Sequence, residues 1–175
     1  MPKCTAGLLL LFVQAACAQV TATGSQTLRI MIAPNAKMTV VQSSIILTSP
    51  GQLFGNFTGT ATLNYKIRTT INTGSSNLSV SATGEFSPST GPKISDQNLT
   101  YTCSPPTLGT SCSGSQTVST AFQTGVLAVG SGACTGAGCA GADPNSVVLN
   151  FSLSNDPGFK TGNYSTGLIF TISSI

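Results

Sequence analysis

Apolar and polar residues alternate along much of this chain. The alternation is clearest over 63–67, 78–82 and 147–153, where every second residue is apolar and its neighbours are mostly polar or charged. A period of two predicts β-strands with one buried and one solvated face, as antiparallel sheets have. Further candidate strands lie at 28–32, 38–41, 44–48, 98–103, 117–123, 125–129 and 168–172.

Turn-forming sequences separate these candidate strands. Asp143-Pro144-Asn145 and Asp156-Pro157-Gly158 combine residues that favour tight turns. No window of about ten residues shows a helical period together with good helix formers. We therefore predict an immunoglobulin-like antiparallel β-sandwich of about eight to ten short strands.

The first residues have the order of a secretory signal peptide. Lys3 precedes the apolar run 6–13, and Ala16-Cys17-Ala18 supplies small residues around a cleavage point after Ala18. The apolar run is too short to span a bilayer, which needs about 20 residues, and no later run is longer. We expect a signal peptide over 1–18, a single domain over 19–175, no transmembrane segment, and a location outside the cell, at its surface or in the periplasm.

Cys17 also resembles the lipidated cysteine of a bacterial lipoprotein, because Ala15-Ala16 precedes it. Lipidation would anchor the protein to a membrane. Gln14 stands where such lipoprotein sequences usually carry Leu or another aliphatic residue, which favours a free protein over a lipid anchor.

Four cysteines remain after cleavage, and an even number in an exported chain predicts disulfides. Three pairings are open. We favour the local pairs Cys103–Cys112 and Cys134–Cys139, because each would staple a loop rich in Gly, Ser or Pro. A zinc site is the alternative, but the usual C-x₂-C spacing is absent.

The amino-acid composition argues against some classes of partner and against intrinsic disorder. Charged residues make up 6% of the chain, against roughly 25% in an ordinary domain. Seven Lys and Arg residues spread over the chain form no basic stripe, so a nucleic-acid partner is not expected. A hydrophobic content of 40% with a net charge of only +3 also argues against intrinsic disorder.

The chain has few of the residue types that usually carry out catalysis. It contains no His, the commonest general base and metal ligand. Of its four carboxylates, Asp143 and Asp156 precede Pro and are typical of turns, which leaves Glu85 and Asp96. We predict that the protein is not an enzyme and binds no cofactor or metal.

The candidate strands nearest the chain ends have few charged residues. Strands at chain ends are often sheet edges, and edges can pair with another molecule. Arg29 lies in the first of these segments, whereas Lys160 only precedes the last one. The predicted assembly residues are Leu28, Ile30, Ile32, Tyr164, Leu168, Phe170 and Ile172.

Three short motifs carry a family resemblance: Lys160–Tyr164 with Phe170–Ser173, Tyr65–Thr69, and Leu99–Cys103. They resemble a group of secreted bacterial β-sandwich proteins of unassigned activity. More distantly, the chain is similar to spore-coat-U-like and chaperone–usher pilin subunits, which assemble by donating a strand to a neighbour. Gly162 matches a glycine that pilins often carry shortly before the chain end, whereas Ser174 stands where pilins have a penultimate aromatic residue. The resemblance implies assembly and transfers no functional residue.

Together these features predict a non-catalytic structural or adhesive protein, a fimbria-like subunit that assembles through its end strands. Its partner would be another copy of itself, or a protein or glycan of the cell surface. The alternative is a monomeric extracellular module that binds a glycan or a protein with the loops 104–116 and 130–145.

Overall fold

The computed structural model describes residues 27–31, 33, 35–49, 51, 53–68, 75–130 and 145–174. Within these ranges the regular secondary structure consists of β-strands only. The strands are β1 (Asn35–Val40), β2 (Phe57–Arg68), β3 (Ser76–Ala82), β4 (Leu99–Cys103), β5 (Thr110–Ser111), β6 (Gln116–Thr117), β7 (Thr124–Val129), β8 (Asn145–Leu153) and β9 (Leu168–Ser174).

The strands form two sheets that pack against each other. The five-stranded sheet has the order β1-β2-β8-β4-β6, and the four-stranded sheet has the order β5-β7-β3-β9. Every strand pair is antiparallel. The predicted antiparallel β-sandwich is therefore confirmed.

The core lies between the sheets and follows from the alternation in the sequence. In β2 the side chains of Ala61, Leu63, Tyr65 and Ile67 are buried, whereas the residues between them are half-buried or exposed. β8 buries every second residue in the same way. Because successive side chains of a strand point to opposite faces, the period-two pattern gives each sheet one apolar face.

Strand β7 breaks this alternation for a structural reason. Its adjacent residues Val126 and Leu127 are both buried. The register between β7 and β3 shifts between Leu78 and Ser79, which leaves Val126 as the extra residue of a β-bulge. The bulge lets two consecutive side chains reach the core, which a simple period of two does not predict.

One end of the sandwich, which we call the closed end, is bridged covalently. β4 ends at Cys103 in the five-stranded sheet, and Cys112 follows β5, where its amide donates to the Val126 carbonyl of the four-stranded sheet. The Cys103–Cys112 disulfide joins the two positions with a Cα–Cα distance of 5.6 Å. The predicted Cys103–Cys112 pair is confirmed. Cys134 and Cys139 lie outside the described residues.

The opposite end, which we call the open end, is covered by two long connections. Residues 83–98 link β3 to β4, and residues 154–167 link β8 to β9. A pair of backbone hydrogen bonds between Ser87 and Ser165, at 2.9 and 3.0 Å, joins the connections. No disulfide joins the sheets among the described residues of this end.

The strand predicted over 44–48 is absent from the structure, and the one predicted over 117–123 is shorter than predicted. Residues 44–48 form no strand, and their only ladder pairing with β2 among the described residues is the bridge between Thr48 and Thr58. The strand predicted over 117–123 is limited to β6, because the Ser119 hydroxyl accepts hydrogen bonds from two following amides and turns the chain. At 117–123, local hydrogen bonds that a side chain accepts thus override the apolar pattern.

The chain divides into two compact units, residues 1–31 and 32–175. The described residues of the first unit, 27–31, have no regular secondary structure, so the strand predicted over 28–32 is not formed there. Ile32 lies outside the described residues, as do the predicted signal peptide and Cys17. Within the described part of the chain, no helix is long and apolar enough to cross a membrane.

Candidate interaction surface

Strand β9 is an edge strand, so one side of its backbone faces no strand of its own sheet. The Thr83 amide donates to the Gly167 carbonyl at 2.9 Å, directly before β9 begins. Hydrogen-bonded pairs alternate along an antiparallel ladder, so the odd-numbered residues of β9 turn their amides and carbonyls toward β3. The even-numbered residues turn theirs away from the sheet: Leu168, Phe170, Ile172 and Ser174.

The apolar residues of this free edge also help to close the sandwich. Leu168, Phe170 and Ile172 pack against the core, yet each is only half-buried. No residue of β9 is charged. Natural sheet edges are commonly protected by Lys, by Pro or by charges that point inward. β9 has none of these. β1 of the other sheet packs beside it, and the Ser174 hydroxyl donates to the Arg68 carbonyl at 2.9 Å, so the part of the edge that is open to a further strand is its first half, beside Leu168 and Phe170.

A groove opens between the two sheets beside the first half of β9. Its volume is about 1530 Å³, which exceeds the roughly 300–1,000 Å³ of a typical small-molecule site. Both sheets and both open-end connections line it. The apolar lining includes Val40, Phe57, Phe86, Leu99, Phe151, Leu153, Tyr164, Leu168 and Phe170.

The groove exists because the first strand leaves its partner before the open end. The Val41 amide still donates to the Thr62 carbonyl at 2.9 Å. The Gln42 side-chain oxygen then accepts the hydrogen bond of the Thr62 amide at 2.8 Å, in place of a backbone carbonyl. The following segment crosses close to Gly59, where a Cβ atom would lie only 2.7 Å from the Ile46 carbonyl oxygen. A glycine at this position therefore permits the irregular path.

Tyr164 forms the wall of the groove on the side of the connections. Its ring lies against Gly91, where a Cβ atom would be 2.2 Å from a ring carbon. Its hydroxyl donates to the Lys160 carbonyl oxygen at 2.7 Å. The ring position thus depends on the missing side chain at Gly91 and on one hydrogen bond within the same connection.

The other three edges of the two sheets are less open. β5 and β6 contain two residues each, so they offer little backbone for pairing. β1 carries the exposed Lys37, which lies directly opposite Lys66 of β2. Among the described strands, β9 is the long edge without charge.

The carboxylate of Glu85 holds the connection 83–98 together. It accepts hydrogen bonds from the amides of Ile94 and Ser95, at 2.5 and 3.0 Å. Desolvation raises the pKa of Glu85, but these hydrogen bonds and the charge of Lys93 outweigh it and hold the pKa below its usual value. Among the described residues, no group of three or more His, Cys, Asp or Glu could hold a metal ion.

Two buried tyrosines connect the sheets through their hydroxyl groups. Tyr101 donates to the Gly125 carbonyl of the opposite sheet at 2.9 Å. Tyr65 donates to the Leu108 carbonyl in the bridged segment and accepts a hydrogen bond from the Leu108 amide at 3.3 Å. Burial raises the pKa of both tyrosines. Both side chains therefore serve the packing of the sandwich, as their strand positions suggest.

The loop 104–116, a predicted binding loop, is tied to the sandwich. The Ser104 hydroxyl accepts a hydrogen bond from the Val148 amide at 2.9 Å. The Thr107 hydroxyl accepts one from the Ser146 amide at 2.8 Å. The loop also contains β5 and leads into β6, and these two strands lie at the edges of different sheets. Most of the second predicted loop, residues 131–144, lies outside the described residues.

The structure brings together part of the predicted assembly set. Tyr164, Leu168 and Phe170 line the groove, and Ile172 lies further along β9. Leu28 and Ile30 belong to the first unit, and Ile32 is outside the described residues. Sequence reasoning missed the contributions of Phe57, Phe86 and Leu153, because their patterns do not distinguish a groove residue from a core residue.

No family model matches the chain, and no curated protein sequence matches it.

Proposed function

We propose that the protein is an exported, non-catalytic structural or adhesive protein whose copies associate through the edge of β9. The observation that carries this proposal is the free backbone of an uncharged edge strand beside an open apolar groove. Strand addition to such an edge gains affinity from main-chain hydrogen bonds and specificity from pockets for alternate side chains. β9 and the groove offer both.

The partner strand that fits best is the segment 27–32 of a second copy. Its apolar residues Leu28, Ile30 and Ile32 alternate, so one face of an extended segment would be apolar. Leu28 and Ile30 are 84% and 72% exposed, which leaves their side chains available to another molecule. Arg29 lies on the opposite face of such a strand and would stay in water.

Pairing of this kind uses different surfaces on the two copies. A head-to-tail contact generates an open chain of subunits when its rotation does not close a ring. An extended segment of six residues covers roughly 20 Å, about the length of a seven-residue strand such as β9. The proposed product is therefore a fibre-like assembly.

The first test is the mass of residues 19–175 in solution, after export to an oxidising compartment, measured by light scattering across a range of concentrations. We expect a concentration-dependent series of oligomers that Ile30→Lys abolishes. Since Ile30 is largely exposed, the substitution leaves the sandwich intact. Phe122→Lys, at a position that is 65% exposed and not part of the groove lining, is the matched control and should keep the series.

Hydrogen exchange identifies the edge itself. In the monomer, the amides of Ile169 and Thr171 should be protected by β3, whereas those of Leu168, Phe170 and Ile172 should exchange quickly. Association should protect the second group. A monomer at every concentration would contradict the proposal and favour the monomeric binding module. If the β9 amides stay protected in the Ile30→Lys variant, the partner strand is not the segment 27–32 but another strand.

A further inference from the structure

The turn 49–55, which leads into β2 at the open end, carries two exposed apolar side chains, Leu53 and Phe54. We propose that these two side chains form a clamp that holds the segment 27–32 of a second copy in the groove. The inference rests on the proposed association at β9 and deepens it, because it names a second contact for the same partner strand. β9 would supply the backbone pairing, and the clamp would hold the strand from the other side.

The clamp and β9 belong to different sides of one groove. Leu53 and Phe54 line the same groove as Leu168 and Phe170 of β9. The turn continues into β2 of the five-stranded sheet, whereas β9 is the edge of the four-stranded sheet. Alternate side chains of a strand point to opposite faces. A strand added to the edge of β9 would therefore direct one face toward the five-stranded sheet and its turn.

Hydrogen bonds fix the position of the turn. Thr48 and Thr58 exchange two backbone hydrogen bonds of 2.9 Å at its base. The Gly55 carbonyl accepts hydrogen bonds from the Ser49 hydroxyl at 3.3 Å and from the Asn155 side-chain amide at 3.2 Å. Asn155 follows the end of β8, so the turn is tied to the neighbouring strand as well. A partner strand would meet a turn that is already ordered, which lowers the entropy cost of binding.

The backbone of Phe54 adopts an unfavourable conformation. Its φ angle is 55°, in the left-handed region that a bulky residue rarely adopts. The ring gains little burial in return, because Phe54 is 50% exposed, and the neighbouring Leu53 is 87% exposed. Strained conformations of this kind cluster at binding sites, where they are part of the function. The free protein thus presents two apolar side chains at the groove at a cost to its own stability.

The segment 27–32 supplies the apolar surface that fits the clamp. Leu28 and Ile30 would lie on one face of the extended segment, and both are largely exposed. Pairing would remove apolar surface of both copies from water, which is the dominant favourable term in most protein association. We therefore expect Leu53 and Phe54 to contribute more to association than to folding.

The test removes the clamp. Phe54→Gly deletes the ring and permits a positive φ without strain, and Leu53→Ser deletes the second apolar side chain. By light scattering, the double variant should form oligomers only at about tenfold higher concentration than the wild type. Its melting temperature should stay equal or rise, whereas a role in folding would lower it. Phe122→Gly is the matched control, because Phe122 is exposed and not part of the groove lining, and it should keep the oligomer series.

Mixing two variants separates the two sides of the contact. Ile30→Lys damages the donor segment and keeps the clamp, whereas Leu53→Ser/Phe54→Gly damages the clamp and keeps the donor segment. At a concentration where each variant alone is monomeric, an equimolar mixture should form a dimer with one copy of each. No larger species should form, because the remaining donor segment and the remaining clamp are both damaged.

Four results would overturn the proposal. If the wild type assembles and the double variant assembles equally well, the clamp is disproved while the association at β9 stands. A mixture that stays monomeric would show that Leu53 and Phe54 do not act on the acceptor side. A wild type that is monomeric at every concentration would disprove both proposals. Binding to phosphatidylcholine vesicles that the double variant loses, with an unchanged oligomer series, would assign the two side chains to a lipid surface.

Discussion

The two ends of the sandwich close the gap between the sheets in different ways. At the closed end the disulfide, the segment 104–111 between its cysteines and the Tyr65 hydroxyl join the sheets. At the open end the sheets separate, and two connections cover the gap while a groove of about 1530 Å³ remains. Among its described residues, the closed end is packed and bridged within one chain. The open end leaves apolar side chains half-buried, so it can gain from a partner.

The difference shows where a small β-sandwich places an interaction surface. Fully buried side chains and a covalent bridge make a region rigid and leave few unsatisfied groups for a partner strand. Binding needs unpaired backbone groups and incompletely buried side chains, and these lower the stability of the free protein. Concentrating both at one end keeps the rest of the domain stable.

The largest expected contrast comes from the same substitution at the two ends. Leu78 is fully buried near the closed end, whereas Leu168 is half-buried at the open end. Leu78→Ala should lower the free energy of unfolding by about 2–5 kcal/mol, because it leaves a cavity in a packed core. Leu168→Ala should lower it by only about 1 kcal/mol, in proportion to the smaller buried area. Urea denaturation measures both, and equal losses would contradict the difference between the ends.

Removal of the disulfide should cause the next largest loss of stability. Replacing both Cys103 and Cys112 with Ala should lower the free energy of unfolding by about 2–3 kcal/mol, because the unfolded chain gains loop entropy. Hydrogen exchange should rise first in β5 and in the segment 104–112. Amides of the connections 83–98 and 154–167 should keep their rates at native conditions. Faster exchange at the open end alone would show that the bridge does not act where the structure places it.

Gly91 tests the packing of the groove wall. Gly91→Ala places a methyl group within the Tyr164 ring position and should destabilise the protein by about 1–3 kcal/mol through overpacking. Gly84→Ala is the matched control in the same connection, since a Cβ atom there meets nothing within 4 Å. Tyr164 fluorescence should change in the first variant alone. Similar behaviour of the two variants would disprove the tight contact between Gly91 and Tyr164.

The smallest expected effect is the pH dependence of stability that Glu85 contributes. Because the pKa of Glu85 is lowered in the folded protein, its contribution to stability is present above the ordinary carboxyl range and is lost as the pH falls below about 4. The amides of Ile94 and Ser95, which donate to this carboxylate, should then exchange faster. Glu85→Gln should remove this pH dependence. An unchanged pH profile in the variant would assign the effect to another group.

Much of the fold could be predicted from the alternation of apolar and polar residues. The segments whose path departs from that pattern could not. The strands with long period-two runs, such as β2 and β8, occur where expected because burial of one face dominates their energy. The segments 44–48 and 117–123 carry weaker patterns. The side-chain oxygens of Gln42 and Ser119 accept hydrogen bonds from backbone amides, and these bonds turn the chain beside each segment. The disulfide Cys103–Cys112 was predictable because a short loop favours local pairing.

The candidate interaction surface, too, could be predicted from the sequence only in part. The apolar face of the last strand was visible in the sequence, as was the low charge of that segment. The groove was not, because its lining comes from residues such as Phe57, Phe86 and Phe170, which lie far apart in the chain. Nor was the pairing of Lys37 with Lys66, because only the register of β1 on β2 places them opposite each other.

The sequence by itself determined that this protein is an all-β sandwich with a local disulfide, because strand periodicity and short-range cysteine spacing are local properties of the chain. Tertiary structure alone decided which strands became edges, which end of the sandwich closed and which charges met. These depend on the order and register of strands in the sheets, and contacts between residues distant in sequence set that order.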